Sequence, residues 1–233
     1  AEIAKILHPE GDSIQYAYNS TTGNRTSVTD SHSPAHTWRY TFNALGRVTS
    51  VTDARTSRTD FLYATNGVDL LSVSNGLGHI RMAYNPQHDL VSLTDRLTNT
   101  TTFAYNANGQ ILAQVDALGI TNEYLYDASQ RLAEFRRAGQ TLERFTYDAV
   151  GRVRTRTDAT GLTVTNDYNA LNQVLRVTYP DGRFESYAYS TCCPRLLDSV
   201  TDRGGRTSVF IHDALKRLIQ TVNPEGGITQ FGY

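Results

Sequence analysis

The sequence predicts an all-β protein, a long antiparallel sheet built from repeated β-hairpins of about 21 residues. The main observation is a word that recurs along the chain: an aromatic residue, Asn or Asp, a small residue, a turn, then a basic or amide residue and an aliphatic one. A fixed period across most of a chain indicates a repeat architecture. The first residues of these words, called anchors below, lie 21 residues apart over seven consecutive intervals: Phe42, Tyr63, Tyr84, Tyr105, Tyr126, Tyr147, Tyr168 and Tyr189. Three further anchors, Tyr18, His212 and Tyr233, lie outside this run.

Composition within one period is the second observation. In the unit from 42 to 63, the residues 47–52 are rich in β-branched side chains, as in a strand. Turn-forming residues precede and follow them at 43–46 and 53–56, and 57–63 form a returning strand. Two strands of about six residues and two short turns fill the period, which leaves no room for a helix of ordinary length.

The organisation predicted from these spacings is a single array covering residues 1–233. Its units are in register from 42 to 189, irregular at 18–41 and 189–211, and end with a last unit at 212–233. The extra residues of the first irregular unit are placed around 31–36, where Ser-Pro and two histidines indicate a longer loop. Because the chain opens inside a repeat and closes on an anchor, we expect it to be a fragment of a longer protein.

The residue two before each anchor should point to the same face of the sheet, because side chains alternate along a strand. The rings would then form an aromatic file along that face and fix the register, since a one-residue slip would turn every ring to the other face. Met82/Tyr84, Asn166/Tyr168 and Phe210/His212 depart from the pattern. The complete pairs are Tyr16/Tyr18, Tyr40/Phe42, Phe61/Tyr63, Phe103/Tyr105, Tyr124/Tyr126, Phe145/Tyr147, Tyr187/Tyr189 and Phe231/Tyr233.

The position four after the anchor is predicted to need a left-handed backbone, which glycine and asparagine adopt easily. Histidine, glutamine and lysine do not suit it, so their turns are expected to differ or to carry strain. The residues at this position are Gly46, Gly67, His88, Gly109, Gln130, Gly151, Asn172 and Lys216.

Recurring charged residues allow two interpretations each. Aspartates of the second turn could bind calcium, but each turn brings about one carboxylate and calcium takes six to eight oxygens. Side-chain hydrogen bonds to the turn backbone are therefore favoured. Arginines at the exit of the first turn could form a basic patch, and a solvated row paired with nearby carboxylates is favoured. The second-turn residues are Asp53, Asp95, Asp116 and Asp158, with Asp202 and Asn223 in the last two units. The arginines at the exit of the first turn are Arg47, Arg131, Arg152 and Arg217.

No constellation of catalytic, cofactor-binding or metal-binding residues is predicted. His32 and His36 share a loop without an evident third ligand, and the other histidines lack metal-ligand spacing. The adjacent Cys192 and Cys193 fit two ordinary thiols better than a vicinal or intermolecular disulfide. The sequence contains no Gly-x-Ser-x-Gly elbow, phosphate loop or dinucleotide fingerprint. We therefore expect no enzyme, no cofactor and no metal.

Composition narrows the possible partners. Hydrophobic residues make up 39% of the chain and charged residues 19%, which is too apolar for a disordered protein. A net charge of −1 provides no attraction to nucleic acid or to an anionic membrane. No stretch approaches the roughly 20 apolar residues of a membrane span. The aromatic file could still bind sugars, although packing within the sheet is favoured.

The words resemble the YD-repeat, or Rhs (rearrangement hotspot), family, whose signature is a Tyr-Asp start, a Gly-Arg-Leu/Val turn exit, and Thr-Asp and Gly before the next Tyr. Tyr147-Asp-Ala-Val-Gly-Arg-Val follows it closely, as do Phe42-Asn-Ala-Leu-Gly-Arg-Val and His212-Asp-Ala-Leu-Lys-Arg-Leu. The resemblance extends from Tyr16 to Tyr233. It implies a sheet that is coiled or spirals as part of a hollow cocoon.

In this family the cocoon encloses a C-terminal effector or toxin in polymorphic bacterial toxins and in insecticidal toxin complexes, and a similar shell serves adhesion in animal teneurins. The resemblance implies a secreted or cell-surface bacterial protein. It covers the shell alone, because the Asp-Pro motifs of the family's self-cleaving segment do not occur in this sequence.

The function expected from this resemblance is that of a non-enzymatic structural segment of a shell. Its partners would be the rest of its own shell and an enclosed effector polypeptide. The alternative is a cell-surface adhesion or carbohydrate-binding repeat module that uses the outer face and the loops. Open edges at the terminal strands should also promote self-association, which size measurements at several concentrations would test.

Overall fold

The computed structural model describes residues 4–32, 35–193 and 195–233, and in these residues all regular structure is β-strand. The predicted all-β fold of antiparallel hairpins is therefore confirmed. Within the same residues, no helix is long and apolar enough to cross a membrane. Ser33 and Pro34 of the predicted longer loop, and Pro194, lie outside the described residues.

The chain divides into two compact units, Ala1–Thr121 and Asn122–Tyr233. Strand β12 begins at Thr121 and continues in the second unit. The first unit contains β1 Lys5–Leu7, β2 Ser13–Tyr18, β3 Arg25–Asp30, β4 Thr37–Phe42, β5 Val48–Thr52, β6 Arg58–Tyr63, β7 Leu70–Asn75, β8 Gly78–Tyr84, β9 Leu90–Thr94, β10 Thr100–Tyr105 and β11 Ile111–Val115.

The second unit continues the same succession of short strands. It contains β12 Thr121–Tyr126, β13 Leu132–Arg137, β14 Gln140–Tyr147, β15 Val153–Asp158, β16 Thr163–Tyr168, β17 Val174–Thr178, β18 Phe184–Tyr189, β19 Leu197–Thr201, β20 Thr207–His212, β21 Leu218–Val222 and β22 Ile228–Gln230.

Within each unit, every strand pairs antiparallel with the next strand along the chain. In the first unit the pairing runs from β1 with β2 to β10 with β11. In the second it runs from β12 with β13 to β21 with β22. Each unit is thus a meander of hairpins, the simplest topology for a chain whose strands and turns alternate at short spacing.

A β-bulge lies at each anchor that ends a paired strand, and the sequence did not predict it. Ala104 pairs with Ala113, but Tyr105 pairs with Ile111, so Leu112 has no opposite residue. Such an extra residue bends the strand and increases its right-handed twist. The same shift occurs at Tyr18, Phe42, Tyr63, Tyr84, Tyr105, Tyr126, Tyr147, Tyr168, Tyr189 and His212.

Exposure alternates at the ends of the anchor strands other than β12, as the aromatic file requires. In β10, Phe103 and Tyr105 are half-buried, and Ala104 between them is exposed. Among the described residues no apolar side chain is fully buried, and Ser50, with 3% of its surface exposed, is the only buried polar one. In the part of the chain that the structure describes, the rings on this face are therefore only partly covered.

At the eight positions predicted to be left-handed, the turn keeps one backbone geometry whatever residue occupies the position. His88, Gln130 and Lys216 have φ angles of 69°, 63° and 68°, close to the 75° of Gly109. Of the two expected outcomes, a different turn geometry is therefore wrong, and these three residues adopt a strained left-handed backbone. The reason is that the hydrogen bonds closing the turn, such as His88 N to Asn85 O at 3.0 Å, hold the backbone against the preference of the side chain.

Thr98 carries such strain in a second turn, because a β-branched residue there has a φ of 67°. The equivalent Gly119 has a φ of 78° and no atom within 4 Å of an added Cβ. We expect Thr98→Gly to raise the free energy of unfolding by about 0.5–1 kcal/mol, the relieved strain less the entropy cost of glycine. Urea unfolding would measure it, and the reciprocal Gly119→Thr should lower stability. Equal or lower stability of the Thr98→Gly protein would contradict the strain.

Candidate functional surface

The anchor tyrosines tie successive hairpins together through their hydroxyl groups. Tyr147 Oη donates to the backbone oxygen of Leu132 at 2.7 Å. Leu132 is the residue that pairs with the preceding anchor, Tyr126, at its bulge. The same bond, always to the residue 15 earlier, is made by Tyr105 to Leu90, Tyr168 to Val153, Tyr189 to Val174 and Tyr233 to Leu218, at 2.8–3.0 Å.

Arginines at the turn exits cover the rings of the following anchors. The guanidinium carbon of Arg131 lies 4.4 Å from the ring centroid of Tyr147. Asp127 Oδ2 accepts a hydrogen bond from Arg131 Nε at 2.8 Å, while Asp127 Oδ1 accepts the backbone N–H groups of Ser129 and Arg131. One carboxylate therefore shapes the turn and aims the cation that stacks on the next ring.

This linkage, in which an Asp orients an Arg that stacks on the next anchor Tyr, recurs along the chain. It explains physically why these three residue types recur at fixed spacing. Asp148 with Arg152 over Tyr168, and Asp213 with Arg217 over Tyr233, repeat it, with guanidinium carbons 4.6 and 4.8 Å from the ring centroids. The predicted pairing of arginines with nearby carboxylates thus holds for three of the four arginines. After Phe42, Asn43 stands in place of the carboxylate that would hold Arg47.

Electrostatics at these turns follow from the same contacts. The side-chain hydrogen bond from Arg131 holds the pKa of Asp127 below its ordinary value, with the backbone N–H of Arg131 adding to the effect. Burial raises the pKa of Tyr147, and the charge of Asp127 adds to the increase. The hydroxyl group of Tyr147 is therefore neutral at physiological pH and available as a hydrogen-bond donor.

Glu134 in β13 accepts hydrogen bonds from three side chains of the second unit. It accepts hydrogen bonds from Arg136 Nε at 2.7 Å, Thr141 Oγ1 at 2.5 Å and Arg144 Nη2 at 3.5 Å. These contacts, that of Arg136 first, lower its pKa from 4.5 to about 2. Because the folded protein holds the charged form more strongly, Glu134 stabilises the fold above the pKa of the unfolded chain.

Glu134→Gln should therefore lower stability at neutral pH, and the difference from the wild type should shrink as pH falls from about 5 to about 2. Thermal unfolding of both proteins across this pH range would measure it. Glu225→Gln is the control, because it removes the same charge from an exposed side chain whose contact with Arg206 is long, at 3.8 Å. Its effect on stability should be small at every pH. A stability difference that stays constant with pH would contradict the assignment to the Glu134 charge.

Aspartates of the second turn use their oxygens on the backbone, as the favoured interpretation predicts. Asp95 Oδ1 accepts the N–H groups of Leu97 and Asn99 at 2.8 and 2.9 Å. The same two bonds are made at Asp53, Asp116, Asp158 and Asp202. These carboxylates are turn-forming groups.

The structure places a third group beside the two loop histidines that sequence reasoning missed. Asp30, the last residue of β3, lies 2.9 Å from the Nδ1 atoms of both His32 and His36. The spacing Asp-x-His-x₃-His was the available signal. His88, by contrast, contacts Asp69 at 2.8 Å. Cys192 and Cys193 are free thiols.

Comparison with known proteins agrees with this architecture. The family model of the Teneurin YD-shell matches residues 69–192, slightly more than half of the chain. No curated protein sequence matches the chain. Among solved structures, TcdB2–TccC3 without its hypervariable C-terminal region shares 16% identity with a TM-score of 0.56, covering 93% of this chain and 12% of that chain.

Two further solved structures are similar over most of this chain. TcdB2–TccC3 shares 12% identity with a TM-score of 0.48, covering 94% of this chain and 16% of that one. The Tc holotoxin pore of Photorhabdus luminescens shares 13% identity with a TM-score of 0.41, covering 93% and 17%. This chain spans less than a fifth of each of these three chains.

The TM-score of 0.56 shows that this chain shares the fold of part of the first structure. The recurring Tyr-Asp word, the linkage of Asp, Arg and the next Tyr, and the family match all indicate one assignment. The chain belongs to the Teneurin YD-shell family and has the shell-forming YD-repeat architecture that its sequence resembles.

Proposed function

We propose that the chain is a non-enzymatic wall segment of a YD-repeat shell that encloses an effector or toxin polypeptide located C-terminal to the repeats. A shell-forming structural role follows from the family. The enclosed polypeptide and its release from a secreted toxin are the further steps of the proposal. The mechanism is steric, because the wall hides the polypeptide from solvent and from proteases until the shell opens.

The observation that carries the proposal is the half-covered aromatic face. Phe103 and Tyr105 illustrate it, since both keep part of their surface exposed and no apolar side chain in the described residues is fully buried. A contiguous apolar face left in water is unfavourable and marks a surface that another molecule covers. An unfolded effector with exposed apolar side chains is a suitable occupant.

Enclosure of a polypeptide also requires more YD-repeat hairpins than this chain contains. The matched region covers 12% of the TcdB2–TccC3 chain, so the remaining shell would come from further hairpins of the same protein. The TcdB2–TccC3 protein has a hypervariable C-terminal region. A variable segment after the repeats is what the proposal expects of the protein that contains this chain.

Limited proteolysis of the complete protein tests the proposal. The polypeptide C-terminal to the repeats should survive protease in the intact protein and be degraded quickly when it is expressed alone. Deleting residues 155–174, which breaks the 21-residue period within a strand, should abolish protection. Deleting 155–175, which removes one full period, leaves the register intact and serves as a folding control.

Equal digestion of the C-terminal polypeptide in the intact protein and in isolation would overturn the enclosure proposal. Specific binding of this chain to glycans on an array, without any protected polypeptide, would instead support the adhesion or carbohydrate-binding alternative. The two outcomes are distinguishable because the first depends on the whole protein and the second on this chain alone.

A further inference from the structure

The connection between β3 and β4 departs from the repeat and carries a cluster of metal-binding side chains. The anchors Tyr18 and Phe42 lie 24 residues apart instead of 21, and two of the three additional residues fall between β3 and β4. Asp30 ends β3, and His32 and His36 follow in the connection before β4 begins. The departure from the period therefore coincides with the cluster.

Each carboxylate oxygen of Asp30 contacts both histidines, one at the backbone and the other at the rings. Its Oδ1 accepts the backbone N–H groups of His32 and His36 at 3.1 and 2.9 Å. Its Oδ2 lies 2.9 Å from the Nδ1 atom of each imidazole. The backbone bonds fix the carboxylate, so that its second oxygen and the two ring nitrogens converge on one point.

The spacing of these three atoms fits a small divalent cation. Tetrahedral zinc bonds of about 2.0–2.2 Å place ligand atoms about 3.3 Å apart. The three atoms here lie within 4.8 Å of one another, and small side-chain rotations would bring them to that separation. Imidazole nitrogens with one carboxylate oxygen suit Zn²⁺, Ni²⁺ and Cu²⁺, whereas calcium prefers oxygens alone.

The histidines remain open to solvent, as entry of an ion requires. The side chains of His32 and His36 are 65% and 47% exposed, and that of Asp30 is 17% exposed. His8 lines the adjoining cavity together with Trp38. A fourth ligand position is thus available to water.

We propose that Asp30, His32 and His36 bind one divalent transition-metal ion of the Zn²⁺ class. Bound there, the ion staples the longer β3–β4 connection to the end of β3 and stabilises this hairpin. The site is independent of the proposed enclosure of an effector, because it requires only the first unit of the chain.

Trp38 provides a local readout, because it is the only tryptophan in the chain. The centroid of its ring lies 6.3 Å from that of His36 in an edge-on arrangement. Paramagnetic Ni²⁺ bound by His36 would quench its fluorescence, whereas an excess of diamagnetic Zn²⁺ would displace Ni²⁺ and restore the signal.

The experiment uses the untagged chain with Cys192→Ser and Cys193→Ser as the parent, so that thiols do not compete for metal. Ni²⁺ titration should quench Trp38 saturably with one ion per chain, and Zn²⁺ should reverse the quenching. His32→Ala should weaken the apparent affinity at least tenfold, and Asp30→Asn should weaken it while retaining an oxygen for the two N–H groups. His88→Ala, which removes an exposed histidine paired with Asp69, should leave the titration unchanged.

Stability provides a second measurement that does not depend on fluorescence. Zn²⁺ should raise the unfolding temperature of the parent and leave that of His32→Ala unchanged, because a ligand stabilises the state that binds it. Circular dichroism would confirm that the variants fold. Non-saturable quenching, or equal affinity in His32→Ala, would overturn the proposal.

Discussion

Replacing Tyr147 with alanine is expected to lower the free energy of unfolding by about 2–4 kcal/mol. The change removes a half-buried ring, its hydrogen bond to Leu132 O at 2.7 Å and the ring on which Arg131 stacks at 4.4 Å. The loss should therefore exceed that of a simple exposed truncation. Urea unfolding followed by far-ultraviolet circular dichroism would measure it.

Two control variants separate the contributions to this loss. Tyr147→Phe keeps the ring and removes the hydroxyl group, so it should cost about 1 kcal/mol. Leu62→Ala truncates a side chain that is 60% exposed on the opposite face of its strand, and it should change stability by less than about 0.5 kcal/mol. Similar losses for Tyr147→Ala and Leu62→Ala would show that the aromatic file does not stabilise the sheet.

Deleting one full period should be tolerated, whereas a deletion shorter by one residue should not. Removal of residues 155–175 joins Arg154 to Arg176 and retains the position of every later anchor in the repeat. Removal of residues 155–174 shifts the later strand by one residue and turns its side chains to the opposite face. After the second deletion, the strand can therefore either keep its backbone pairing or keep its rings on the aromatic face, but not both.

The expected measurement is a cooperative thermal transition for the first deletion, within about 4 °C of the wild type, because the stability of a repeat array is shared among neighbouring units. The second deletion should show a broad transition without cooperativity. Indistinguishable transitions for the two deletions would contradict a register set by the 21-residue spacing.

Much of the fold could be predicted because the repeat expresses it directly. Alternating side chains placed Phe103 and Tyr105 on one face, and the turn residues marked both ends of each strand. The bulges could not be predicted, because a shift such as that at Tyr105 arises from backbone pairing and leaves no residue type of its own. The same holds for the left-handed Lys216, where the turn geometry prevails over side-chain preference.

The contacts between hairpins were predicted only in part. Pairing of Arg131 with Asp127 follows from their proximity in one turn, but its stacking on Tyr147 depends on the distance between successive hairpins. Similarly, His32 and His36 were seen as a pair without a third ligand. Asp30 joins them only because β3 ends where the connection folds back over its last residue.

The absence of fully buried apolar side chains among the described residues has a consequence for the thermodynamics of unfolding. The heat-capacity change and the denaturant dependence of unfolding both grow with the apolar surface that becomes hydrated. A sheet whose rings are already partly hydrated should show smaller values per residue than the typical ~12–15 cal/mol/K of globular domains. Its stability curve should therefore be flat over a wide range of temperature.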